Sequence, residues 1–93
     1  MLTKRAYDER IFSVDMSPVL RRNDSIVAVV AVLAQPLDEE AEELAITSIS
    51  AHARAVSFRV GGGTALCRYQ LVIRVTTADP AQEIEGVISL DVQ

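Results

Sequence analysis

The 93-residue sequence has no tryptophan, one histidine, one cysteine and only four other aromatic side chains, two tyrosines and two phenylalanines. A core must therefore be filled by Val, Ile, Leu and Ala, within a hydrophobic content of 49% that is ordinary for a globular chain. With Cys67 alone, no intrachain disulfide can form. A free thiol suits a reducing compartment, and Cys67 is expected to pack as a small buried hydrophobe. Long apolar runs are missing too. The longest, Ile26 to Ala34, has nine residues, against roughly 20 for a membrane helix. No apolar stretch of signal-peptide type follows Met1-Leu2-Thr3-Lys4-Arg5, so neither a membrane nor secretion is expected. Basic residues are outnumbered, nine Lys and Arg against thirteen Asp and Glu, for a net charge of −4. That balance argues against nucleic acid as a partner, which calls for a basic patch.

The same scarcity weighs against an enzyme. His52 can be grouped on paper with Ser50 or Ser57, but nothing beside them resembles a strained nucleophile turn. His52 and Cys67 fall short of the roughly four ligands of a zinc set. The acidic run at 38–43 lacks the alternate-ligand spacing and turn glycine of a calcium loop. Gly61-Gly62-Gly63 leads into Thr64-Ala65, with no lysine and no helix start to cradle a phosphate. No catalytic residue, metal or cofactor is expected.

What the chain does have is alternation. Phe12, Val14 and Met16 share one face of a short edge strand that Pro18 ends. Ser25 to Gln35 is a Val-rich run whose β-branched content favours a strand. Leu44 to Ser50 follows as a strand, with Ala51-His52 as a turn, and then Ala53 to Val60 with Val56, Phe58 and Val60 inward. The glycine triplet predicts a tight hairpin reversal. Cys67, Tyr69, Leu71, Ile73 and Val75 point inward from the next strand. After a turn at Ala78-Asp79-Pro80, Ile84 to Val92 alternates to the end. Six to seven strands at intervals of about 8–12 residues predict an all-β, Ig-like antiparallel β-sandwich over residues 11–93. Residues 1–10 lack periodicity and read as an arm ordered only by contact with something else.

Charge marks the candidate surfaces. Arg54, Arg59, Arg68 and Arg74 fall at outward strand positions, where they protect edges or form an interface. Asp38, Glu39, Glu40, Glu42 and Glu43 form an acidic segment that reads either as a helical turn after Pro36 or as a solvated loop. Lys4, Arg5 and Arg10 make the arm basic. A small chain buries a thin core, so self-association is expected, with the arm of one copy reaching the acidic segment of the next, head to tail.

The run Val60-Gly61-Gly62-Gly63-Thr64-Ala65-Leu66-Cys67-Arg68-Tyr69 resembles the E–F corner of fibronectin type III and related Ig-like domains. In that corner a tyrosine hydroxyl bonds back to upstream backbone, a role the resemblance gives to Tyr69. A wider set of positions is similar to a family of short phage virion proteins of the fibre–tail adaptor or neck/tail accessory type. These positions are Lys4, Asp8, Asp15-Met16-Ser17 and Leu20, then Gly62-Gly63-Thr64-Ala65, Tyr69, Arg74-Val75-Thr76-Thr77, Glu83 and Leu90. The match is densest from Phe58 to Val92. Met16 stands where that family has an aromatic, and Leu66 where it usually has glycine. The resemblance implies a non-enzymatic structural subunit, assembled in the host bacterial cytoplasm into the virion. Its partners would be other tail, neck or fibre proteins, and further copies of itself. The competing reading is a stand-alone recognition module for carbohydrate or a host surface.

Overall fold

A computed structural model describes residues 2–78 and 81–93. Seven strands make up two sheets: β1 (Leu2–Lys4), β2 (Arg10–Asp15), β3 (Ile26–Pro36), β4 (Leu44–His52), β5 (Ala55–Gly62), β6 (Arg68–Thr77) and β7 (Glu83–Val92). The larger sheet has the order β1-β7-β6-β3, the smaller β2-β5-β4. Setting β1 aside, this is the Ig division, in which the second, fifth and fourth strands face the third, sixth and seventh. The fold class read from alternation, an all-β sandwich, is the one observed.

The core is built where the alternation is strictest. Tyr69, Leu71, Ile73 and Val75 of β6 face Val56, Phe58 and Val60 of β5, and Leu90 and Val92 of β7 join them. Burying each such side chain is worth about 1.5–3 kcal/mol, so these two faces carry most of the apolar driving force. Cys67 is buried beside them. Met16, just before a single 3-10 turn at Ser17–Val19, closes one side. Its methyl lies over Gly86, where an added Cβ would come within 2.8 Å of it.

Three expectations are corrected. The first concerns the N-terminal segment, where Leu2–Lys4 is a strand instead of a free arm. It pairs in parallel with Leu90–Val92 of β7, and the Ala6 amide donates to the Gln93 carbonyl at 3.1 Å. A three-residue strand is too short to show a period. The second concerns the glycine triplet. Gly61 and Gly62 still belong to β5, and β5 and β6 lie in different sheets, so the connection is a crossing and not a hairpin. The reversal comes later, at Thr64–Cys67, closed by a 3.2 Å bond from the Cys67 amide to the Thr64 carbonyl. The third is the β4–β5 connection. Strand β4 runs on through His52, and the turn is carried by Ala53, which takes a left-handed φ of 54°. Of the turn read at 78–80, Asp79 and Pro80 lie outside the described residues.

The two poles of the sandwich

Five chain segments converge on one end of the sandwich: β3 leaves at Pro36, β4 enters at Leu44, β5 ends at Gly62, β6 begins at Arg68 and β7 ends at Val92. Tyr69 is the post around which they are tied. Its ring is fully buried. Its hydroxyl accepts the Thr64 amide at 3.1 Å and donates to the backbone carbonyl of Glu42. The hydroxyl thus satisfies one donor of the crossing and one acceptor of the acidic segment. Gly63 makes the close approach possible. It has φ +93°, and a Cβ there would lie 2.7 Å from Leu44 Cδ2 and 3.2 Å from Val92 Cγ2.

The acidic segment is therefore anchored and is a turn, not a helix. The Asp38 carboxylate accepts the Arg68 amide at 2.8 Å, the Ala41 amide donates to the Asp38 carbonyl at 3.2 Å, and Thr64 Oγ1 accepts the Glu42 amide at 2.8 Å. The side chains of Asp38, Glu39, Glu40, Glu42 and Glu43 remain exposed. Beneath them, burial pushes the Cys67 thiol pKa up, and the charges of Asp38 and Glu40 push it the same way.

Lys4 is the correction with most consequence. The residue is 2% exposed, and its ammonium donates to the carbonyls of Gly62 at 2.6 Å and Arg5 at 2.7 Å. It fastens β1 to the end of β5 and is not available to a second molecule. Burial pulls its pKa below the usual lysine value, and the charge of Asp8 opposes this in part. Because β1 runs toward Val92, the segment after it emerges at the same pole as residues 38–43. The basic and acidic segments thus share one end of the molecule instead of lying at opposite ends.

The arginines separate into two groups. Arg54 is turned inward at the opposite pole. Its guanidinium donates to Ser17 Oγ at 3.0 Å and to the carbonyls of Asp24, Arg21 and Arg22 at 2.7, 3.1 and 3.4 Å. Its fork closes the loop from 17 to 24, which explains its half-burial. Arg59, Arg68 and Arg74 do point outward, each beside a carboxylate: Glu9 at 4.0 Å, Asp91 at 3.9 Å and Glu85 at 2.9 Å. Arg5 and Arg10 are exposed.

Sequence reasoning missed two exposed side chains at the Tyr69 pole. Tyr7 is fully exposed on the turn closed by the bond from the Asp8 amide to the Arg5 carbonyl. Leu66 is 91% exposed and holds a left-handed φ of 66°. The only signal in the sequence was that Leu66 stands where the resembled phage family usually has glycine. His52 is an exposed strand end, and among the described residues no three His, Cys, Asp or Glu side chains are grouped to hold a metal.

No curated protein matches the chain. A protein-family model described as podophage GP4 fiber-tail adaptor protein gp77 does, over residues 4–91, from the buried lysine to the last strand. The chain, an Ig-like sandwich tied at one pole by a tyrosine, belongs to that family of phage fibre–tail adaptors.

Proposed function

We propose that this chain is a non-enzymatic subunit that joins components near the tail of a phage particle and that it attaches through the Tyr69 pole. One observation carries the reading. Tyr7 and Leu66, the two most exposed large apolar side chains among the described residues, stand at the pole that also carries the exposed carboxylates of 38–43. An aromatic and an aliphatic anchor with a charged rim is the usual anatomy of a protein contact. The matching surface is an apolar pocket with basic residues around it, on a tail or fibre protein. The network through Tyr69, Lys4 and Thr64 holds this surface rigid, so little ordering entropy is lost on docking. A sugar-binding role has less support, because Tyr7 is the one exposed aromatic and a single ring makes no platform.

The test is co-sedimentation with tail particles that lack the chain. The double variant Tyr7→Ser, Leu66→Ser should fold and melt like the unmodified protein but fail to sediment with the particles. Undiminished binding by the double variant would remove the pole from consideration.

A further inference from the structure

The outer face of the larger sheet has a regular chemical division between two neighbouring strands. On β6 the outward residues include Arg68 and Arg74, with Val72 between them. On β7 they include Asp91 and Glu85, with Val87 between them. The register places Arg68 opposite Asp91, Val72 opposite Val87 and Arg74 opposite Glu85. One strand is basic and its neighbour acidic, and two outward rows lie between the charged ones: Val72 with Val87 next to Arg74 and Glu85, and the polar Gln70 with Ser89 next to Arg68 and Asp91. Val72 is only 6% exposed although it lies on the outside of the sandwich, while Val87 beside it is 55% exposed.

We infer that this face is where two copies of the chain pair, front to front, about a two-fold axis that runs parallel to the strands midway between β6 and β7. Such an axis exchanges the two strands without moving any row. Arg74 of one copy then faces Glu85 of the other and the reverse, Arg68 faces Asp91 and the reverse, and Val72 meets Val87 at the centre. Every row is self-complementary, as an isologous contact requires. Shifting the axis onto β6 would set Arg74 against Arg74, so the charges select one register. Stacked sheets rest about 10 Å apart and turn by about 30°. The Arg74–Glu85 row, two residues from Val72, moves by about 3 Å, within reach of the two side chains, whereas the Arg68–Asp91 row, four residues from it, moves by about 7 Å, so the first row selects the register. The axis lays β6 and β7 of one copy on β7 and β6 of the other and sets β3 against the three-residue β1, so the overlap is roughly 400 Å² per copy, from strand spacing and rise. That falls short of the roughly 1,000 Å² total of a specific contact, so the pair is a weak one that rests on its charges. The face lies on the flank of the sandwich and leaves the Tyr69 pole free. The pairing is therefore independent of the attachment proposed above.

Charge reversal in two separate chains tests it. By sedimentation equilibrium over a range of protein concentrations, the unmodified chain should pass from monomer to dimer. R74E alone and E85R alone should each stay monomeric, because each sets like charges face to face. Their equimolar mixture should recover dimer at least as well as the unmodified chain, since each introduced charge then meets its opposite. Both variants lose the same intrachain pair, so instability of the monomer cannot mimic recovery on mixing. If either variant is unfolded by circular dichroism, V87D, which puts a carboxylate against Val72, takes its place and should abolish the dimer. A chain that stays monomeric throughout, a variant that dimerises undiminished, or folded variants that do not recover on mixing would each overturn the inference. Loss of tail binding with intact dimerisation would count only against the attachment pole.

Discussion

The Tyr69 hydroxyl donates to the backbone carbonyl of Glu42, 27 residues earlier in the chain, while it accepts the Thr64 amide from the crossing five residues before it. One phenolic oxygen thus joins the connection between the sheets to the acidic segment. Tyr69→Phe keeps the ring and removes both bonds. It leaves a carbonyl and an amide without their partner, which costs about 1–3 kcal/mol when such groups are buried. Urea denaturation should show a loss of that size. Amide exchange should accelerate at Thr64 and across 38–43 more than in β6. A thermally silent substitution with unchanged exchange would mean that the hydroxyl carries no load.

Leu66 is the opposite case, a residue that weakens the fold where it stands. A left-handed φ costs a side chain with a Cβ roughly 1–2 kcal/mol, and its 91% exposure returns no burial. Leu66→Gly removes the strain but adds freedom to the unfolded chain, at roughly 0.5–1 kcal/mol. The net expectation is a gain of about 0.5–1 kcal/mol in chemical denaturation, with weaker co-sedimentation with tail particles. Gain in stability together with full binding would show that the strain serves nothing at this pole.

Arg54 should matter to stability more than its neighbours on the surface. Hydrogen bonds from a charged donor are worth about 1.5–3 kcal/mol, and the fork of Arg54 closes several carbonyls of one loop. Arg54→Ala should cost an amount in that range. Arg54→Lys should recover only part of it, because an ammonium cannot reach Ser17 Oγ and the carbonyls together. By contrast, Arg59→Ala, at an exposed pair 4.0 Å apart, should change stability by less than about 1 kcal/mol. Equal effects at the two sites would contradict the division of the arginines into an internal and an outward group.

How much of this was legible depended on range. Strands β5, β6 and β7 could be read because each buries one face, so alternation reports burial directly, and Tyr69, Phe58 and Leu71 are buried as expected. The glycine triplet announced a break in the chain but not its kind. Whether β6 returns beside β5 or crosses to the other sheet is decided by its pairing with β3 and β7, which no local pattern encodes. Lys4 and Arg54 were misread for one physical reason. A long cationic side chain whose donors all go to backbone carbonyls looks, in sequence, the same as one in water. That the N-terminal segment and residues 38–43 share a pole is a consequence of the parallel β1–β7 pair, a contact between the two ends of the chain.

Lys4 also gives the fold a dependence on pH in the alkaline range. Its folded pKa lies below 10.5, chiefly because burial disfavours the charged form. Between the folded value and the unfolded one, the unfolded chain holds the proton that the folded chain has released. Stability rises with pH wherever the unfolded state binds more protons. The cost of the buried charge is therefore fully present below the folded pKa and is relieved as pH climbs through it toward 10.5. A neutral amine still donates to the carbonyls of Gly62 and Arg5, so relief does not sacrifice the tie. Other groups titrate in the same range, and Lys4→Met separates them. Replacing the amine removes both the charge and its bonds while leaving Cys67 and the tyrosines in place. Urea denaturation of both proteins from neutral pH to about 10.5, near the ordinary lysine value, should show the difference in stability moving steadily in favour of the unmodified chain. A difference that stays constant with pH would mean that Lys4 titrates as it would in water. A difference that moves the other way would mean that the two carbonyls hold the charged form more strongly than burial opposes it.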